Sequence, residues 1–382
     1  MLNIEHFEQI SLDGTWRFQL LHSPTEKLGK RWASIPVPGL WTMQEPSEVF
    51  FDKPIYTNTQ MPFEEMPPFV PAENPTGVYE RDFDVPKSWS GKRIVLQVGG
   101  YESVALVYIN GQEVGLSKDS RLAAEFDVTQ FVQSGNNVVR IDVTKWSDAT
   151  FIEDQDQWWH GGITRSIKLY ATNKVFIERF KSVAGLEKDG TTGTLSIEAD
   201  LGSLDDLSTD GYTLRASITE LPKVKAANLE KVIQNFTSPK WTERNADLKK
   251  RTDDYFHGKF WDGRLPADAK AAIMENEPWP HGKVILETRI PKVNPWSAEV
   301  PNLYTLHIEL IDPNGAVIEV SQQHIGFRSI IIKGQDFLVN GQPIIFYGIN
   351  RHDFNRFTGR ALTRDDMRQD LLELKRWNFN AV

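Results

Sequence analysis

This sequence predicts a mainly β, multidomain chain: two β-sandwiches in succession, then the first βα unit of a barrel. Three observations carry that prediction. Short strand-like segments closed by turn residues recur from about residue 11 to about residue 331. Beyond that point the pattern changes to one continuous apolar run followed by helical spacing. And 382 residues exceed what a single hydrophobic core usually serves.

Residues 1–172 form the first expected domain. Residues 93–98 (RIVLQV) run into Gly99-Gly100, and residues 104–109 run into Asn110-Gly111, a pair suited to a type I′ hairpin because both turn positions need positive φ. Residues 113–115 resume the strand. Gly135-Asn136-Asn137 precedes residues 138–143, whose alternation sets Val139, Ile141 and Val143 on one face. A two-sheet sandwich best accommodates so many short strands.

The second expected domain, residues 173–331, continues with strands at 175–180, 195–200, 214–218, 284–288 and 304–310, and Asp312-Pro313-Asn314-Gly315 supplies a hairpin turn. Residues 221–282 interrupt it with Lys-rich and Pro-rich sequence too long for an ordinary connection, and read as an insertion.

In residues 332–382, Asn340-Gly341 signals another hairpin. Residues 343–349 are continuously apolar, as in a strand buried on both faces. After the polar loop Asn350-Arg351-His352-Asp353, Thr363 offers an N-cap with Asp366 three positions on. Met367, Leu371 and Leu374, with Leu372 beside them, then recur at helical spacing, predicting a helix over 364–377. Residues 379–382 resemble the start of the next strand. Eight such units need about 250 residues, so the barrel is expected to be incomplete here, and limited proteolysis is expected to remove material after about Ile331 first.

Composition excludes several chemistries. A net charge of -9 provides no basic field for nucleic acid, and the basic run Lys249-Lys250-Arg251 reads as a solvated face. No cysteine means no disulfide, thiolate nucleophile or cysteine-bound metal, which fits a reducing compartment. The N-terminus lacks a basic stretch followed by an apolar run, and no apolar run is long enough to cross a membrane, so a cytoplasmic protein is expected. The sequon Asn235-Phe236-Thr237 is read as coincidental. Walker A, GxGxxG, HExxH and GxSxG patterns are lacking.

The densest chemical candidate is Glu153-Asp154-Gln155-Asp156, followed by Trp158-Trp159-His160-Gly161-Gly162. In an extended segment Asp154 and Asp156 share a face. Their side-chain origins are then about 6.8 Å apart on one strand, a poor arrangement for flanking a glycosidic bond. A cation or sugar hydroxyls relieve their repulsion better, with the tryptophans offering flat surface to a pyranose; a solvated acidic loop beside core tryptophans fits the local pattern too. The Asn58 amide can donate to and accept from a sugar hydroxyl, although the residue also suits a plain turn. Asn74-Pro75-Thr76-Gly77 reads as a turn without chemistry. His352 lies after the first barrel strand, where barrel enzymes place working residues, with Arg351 and Asp353 able to orient it; a structural histidine fits equally.

Together these segments resemble the family 2 glycoside hydrolases of the microbial β-galactosidase type. The resemblance rests on SLDGTWRF (11–18), PIYTN (54–58), PFVPAENPTG (68–77), Asp119-Ser120-Arg121, Trp146-Ser147-Asp148 through Asp156, Trp296–Glu299 with Pro301–Tyr304, Gly326-Phe327-Arg328 and Gly348–His352. It implies a jelly-roll sandwich, an immunoglobulin-like sandwich and a catalytic TIM barrel. It further implies a retaining β-galactosidase acting on β-galactosides such as lactose, with Asn58 and Asp156 binding galactose, Asp156 also ligating sodium, and His352 binding substrate and stabilising the transition state. The acid/base and nucleophilic glutamates and the remaining magnesium ligands are expected beyond Val382, so this chain alone is expected to be inactive and the full-length enzyme a homo-oligomer. Lys118 departs from the family, its charge arguing against a magnesium beside Asp119. The alternatives are a noncatalytic sugar-binding module, a complementing subunit, or a family 2 enzyme of other glycan specificity.

Overall fold

A computed structural model describes residues 6–58, 60–204, 207, 209, 211–220, 227–232 and 283–382. The chain divides into two compact units, one of residues 8–171 with 345–382, the other of residues 172–344 joined by His6 and Phe7. Among the described residues no helix is long and apolar enough to cross a membrane.

The first unit is a two-sheet sandwich. One sheet orders its strands Gln9–Ser11, Ile167–Thr172, Arg93–Val98, Ala124–Asp127; the other runs Gln112–Ser117, Val104–Ile109, Gly135–Thr144, Thr76–Val85, Gly14–Leu21, Ala33–Val37. The expected alternation holds, since Val139, Ile141 and Val143 are fully buried among Trp16, Phe18, Tyr79, Leu96 and Val107. Burying each such side chain contributes about 1.5–3 kcal/mol. The Asn110-Gly111 turn has φ of 51° and 80°, the positive pair that a type I′ hairpin requires.

The second unit pairs a sheet of Val175–Leu186, Gly193–Ser203 and Lys283–Ile290 with one of Ala227–Val232, Thr213–Glu220, Tyr304–Ile311 and Val317–Ile325. Leu195, Ile197, Leu214, Leu306, Ile308 and Leu310 fill its core. A hairpin of Ile330–Lys333 and Asp336–Val339 turns at Asn340-Gly341 into Gln342–Pro343 and clusters with this unit. Of the expected insertion, the strand Ala227–Val232 pairs with Thr213–Glu220, while the sequon and Lys249-Lys250-Arg251 lie outside the described residues.

The helix expected over 364–377 spans Arg364–Arg376. Thr363 caps it, its hydroxyl accepting from the Asp366 amide at 3.1 Å while Asp366 returns the bond to the Thr363 amide at 2.8 Å. Its apolar stripe is not buried: Leu371 and Leu372 are exposed. The run 343–349 also departs from expectation. Instead of a strand buried on both faces, Ile345, Phe346 and Tyr347 are exposed, and one parallel bridge, Gly348 to Ala381, marks the beginning of a sheet. A parallel strand needs neighbours on both edges and helices on both faces to be buried, and among the described residues this run has one bridging neighbour and one helix after it.

Candidate functional site

The first unit gathers polar residues at one end. Its anchor is Lys145, whose side chain is 1% exposed and whose Nζ donates to both Asp52 carboxylate oxygens at 2.8 Å. Asp52 Oδ2 also accepts from Trp41 Nε1 at 2.8 Å. Trp41 lies flat on backbone, since a Cβ at Gly161 would come within 2.1 Å of its ring. This pins the irregular segment leading to Ile55–Tyr56, which pairs antiparallel with Trp158–Trp159. Trp159 Nε1 donates to Thr57 Oγ1 at 2.9 Å, and the Tyr56 hydroxyl donates to Asp156 Oδ1 at 2.7 Å. The bond to Asp156 pushes the Tyr56 phenol up, which keeps it protonated and donating.

Asn58 lies two residues past Tyr56 and Asp156 two before Trp158, so both stand at the same end of this ladder. Both are exposed. Beside them the rings of Tyr56 and Trp158, half-exposed, sit 5.5 Å apart. A carboxylate, an amide and two open aromatic faces form a surface able to take sugar hydroxyls and the flat of a pyranose.

Two local expectations are corrected. Residues 153–156 are not extended: a 3-10 turn over Asp148–Phe151 precedes them, Gln157 N reaches back to Gln155 O at 2.6 Å, and the bent backbone removes the shared face expected of Asp154 and Asp156. The carboxylates go separate ways, Glu153 to the Ser120 amide at 2.9 Å and to its hydroxyl, Asp156 to Tyr56. Asn74 is also more than a turn residue. It is buried, and its amide clasps the Trp146 backbone in both directions at 2.9 Å, holding the strand end that precedes the acidic segment.

The sequence reading missed a set of buried charges below this surface. Glu102, 5% exposed, accepts from Arg121 Nη1 at 2.7 Å and pairs with Arg360 Nη1 at 3.2 Å. Burial pushes its pKa up, and the two guanidiniums outweigh that, leaving it lowered. His160, 1% exposed, meets Thr42 Oγ1 through Nδ1 at 3.0 Å, and its Nε2 lacks a hydrogen-bond partner among the described residues. Burial holds its pKa down at about 4 against the pull of Glu102, so the ring is neutral near pH 7. A signal was available: Glu102 is a lone acid in the strand-like run VGGYESVALVYI (98–109), and an acid buried there needs a cation. Nothing local names Arg360 as that cation.

His352 is exposed in the loop that follows the apolar run. The residues after it turn to the sandwich: Asp353 lies 3.9 Å from Arg165, and the Phe354 ring sits 6.2 Å from the His160 ring. Arg351 pairs with Asp353 and Asp370, bracing the loop against the helix. The loop of His352 thus rests on His160 and Arg165, just beyond the strand that follows Asp156; contact of His352 itself with Asn58 or Asp156 is not among the bonds formed.

Known proteins share this arrangement of domains. Residues 9–173 match the sugar binding domain of the glycosyl hydrolases family 2, residues 175–328 match the central family 2 domain, and residues 330–382 match its TIM barrel domain. This chain belongs to glycosyl hydrolase family 2. It is similar to the beta-galactosidase of Priestia megaterium, 33% identical over 387 residues that take in 97% of this chain and 33% of that protein. The beta-galactosidase of Kluyveromyces lactis is also 33% identical, over 97% of this chain and 34% of its own length. The chain thus spans about a third of the curated relatives it matches. Among solved structures, the Bifidobacterium dentium beta-glucuronidase superposes with a TM-score of 0.67 at 20% identity, over 98% of this chain and 57% of that one. Bacteroides uniformis beta-glucuronidase 2 gives 0.67 at 19%, over 97% and 39%. At these identities the superpositions establish the family 2 fold.

Among the described residues no three His, Cys, Asp or Glu side chains gather as a metal site. Lys118 ends 2.7 Å from Asp148 Oδ1, on the surface near Glu153 and Ser120. At the Asp156 corner one carboxylate and the Tyr56 hydroxyl offer hard oxygen ligands, short of the several carboxylates and carbonyls that divalent ions gather.

Proposed function

We propose that the chain is part of a retaining β-galactosidase and contributes one wall of the galactose site. In this reading Asn58 and Asp156 bind sugar hydroxyls, and His352 binds substrate and stabilises the transition state. The acid/base and nucleophilic glutamates lie beyond Val382, as do the ligands of a magnesium ion. The observation that carries the reading is the Tyr56–Trp158 ladder, which brings the Asn58 amide and the Asp156 carboxylate to one end beside two half-exposed rings. The beta-galactosidase name of relatives at 33% identity supports the choice of sugar. Sodium fits at Asp156, where it would neutralise the carboxylate and polarise a bound hydroxyl. A cytoplasmic, homo-oligomeric enzyme acting on lactose completes the proposal; the lack of cysteine agrees with a reducing compartment.

The complete reading frame is expected to hydrolyse a nitrophenyl β-galactoside, and the 382-residue chain is not. Asp156→Ala is expected to lower kcat/KM about 100-fold, in keeping with loss of a charged hydrogen bond made to the transition state. Turnover by the 382-residue chain alone, abolished in Asp154→Ala or Asp156→Ala, overturns the location of the catalytic carboxylates. A substrate panel that prefers a glucuronide or mannoside overturns the sugar. Galactose binding without turnover by the complete protein, lost in Asp156→Ala, marks a binding module instead.

A further inference from the structure

We propose that Arg360 is a positioning residue for this site: from the loop that carries His352 it reaches into a buried socket on the first sandwich, and its pairing with Glu102 sets where that loop lies. The proposal rests on the galactosidase reading for its consequence, though not for the clamp itself.

Around Arg360 the loop is open. Arg356, Phe357 and Thr358 are exposed, whereas the Arg360 side chain is 10% exposed and its partner Glu102 6%. An arginine on a surface loop loses hydration by turning inward, and burial is tolerated only against a paired charge. Neutralising Glu102 does not require it, because Arg121 Nη1 already donates to the same Oε1 at 2.7 Å. The second guanidinium is surplus to that task and carries a cost. Arg121 Nε and Arg360 Nε are both buried without a hydrogen-bond partner among the described residues. What the second pair does supply is a fixed point for the loop.

The backbone beside it is seated as closely as backbone can be. Gly359 has φ of +61°, and a Cβ there would lie 2.8 Å from Leu40 Cδ1 and 3.0 Å from His160 Cε1. The loop is also stiff enough to transmit that seating. Asn355 and Gly359 exchange backbone hydrogen bonds at 2.8 Å each way, and Asn355 Nδ2 donates to Asp366 Oδ1 at 3.2 Å, at the capped start of the helix. At the other end Asp353 faces Arg165 and Arg351 joins Asp353 to Asp370. His352 lies between these braced points, so a clamp at 359–360 limits where its imidazole can stand relative to the wall that bears Asp156.

The test uses the protein expressed from the complete reading frame. R360M is expected to lower kcat/KM for a nitrophenyl β-galactoside about 100-fold, chiefly through kcat, the scale of loss that follows a misplacement of about 1 Å. R360K keeps the charge but loses the fork, and is expected to recover most of this, leaving about a fivefold deficit. Amide exchange over residues 351–361 should rise in R360M while that of residues 93–98 is unchanged. Wild-type kinetics in R360M with faster exchange in the loop makes the pair merely structural and overturns the positioning role; unchanged exchange overturns the clamp. If R360M does not fold, R360K decides, wild-type kinetics there overturning the role. A wild-type protein inactive on galactosides whose loop is freed by R360M refutes the galactosidase reading and leaves the clamp standing.

Discussion

In the second sandwich the buried strands meet through Leu195, Ile197, Leu306, Ile308 and Leu310, and ion pairs such as Arg179 with Asp200 and Arg215 with Glu309 are partly exposed. The first sandwich has an apolar core of the same kind, yet one end of it, with Arg360 from the loop of His352, holds a connected set of charges: Lys145 and Glu102 are buried, their partners Asp52, Arg121 and Arg360 partly so, and neutral His160 is buried among them. Among the described residues of the second sandwich two sheets pack face to face without any such connected set. Buried ion pairs return little stability beyond what well-packed apolar side chains provide. Their concentration beside Asn58, Asp156 and the His352 loop marks where the first sandwich gives up stability for a defined surface.

The strongest way to break this contrast is Lys145→Met. It leaves the nearly buried Asp52 carboxylate with the 2.8 Å bond from Trp41 Nε1 as its remaining side-chain partner among the described residues, and about 3–5 kcal/mol of stability should be lost. Urea denaturation followed by exchange in residues 135–144 would measure it; a loss under 1 kcal/mol would mean the charges are dispensable. In the second sandwich Leu306→Ala should cost about 3 kcal/mol by cavity formation, read from exchange in residues 193–203, with exchange in residues 135–144 unchanged.

Acid sharpens the contrast further. The pKa of folded His160 is about 4, below the ordinary 6.5, so unfolding takes up a proton between these values. Its contribution is complete above about pH 6.5 and lost as the pH falls to about 4. At about 1.4 kcal/mol per pH unit this gap amounts to roughly 3–4 kcal/mol, borne by the first sandwich. His160→Gln should flatten the acid limb of a melting-temperature profile; an unchanged limb would assign acid sensitivity elsewhere. The smallest effect expected is Thr363→Ala, at about 1 kcal/mol, confined to exchange in the helix Arg364–Arg376.

Legibility followed the distance over which each feature is encoded. The helix was readable because Thr363 and Asp366 meet within one turn, and the hairpins because Asn110-Gly111 and Asn340-Gly341 carry their own positive φ. Asn58 and Asp156 were singled out by side-chain type and by resemblance. The bend in residues 153–156 was not readable, because it follows from where Glu153 finds Ser120 and Asp156 finds Tyr56. Asn74 misled for the same reason, its local pattern fitting a turn while its amide serves Trp146.

By itself the sequence determined the long strands of the two sandwiches, the hairpin turns, where the helix begins and which family the chain resembles, since periodicity, turn chemistry and capping act between neighbours, but it misread the run 343–349 as a buried strand. Tertiary structure alone decided that Glu102 pairs with Arg360, that Lys145 holds Asp52, and that His160 remains neutral beneath the loop of His352. A buried charge finds its counter-charge through space, and the energy that selects the partner depends on the solvent both have lost, which exists only once the chain has folded.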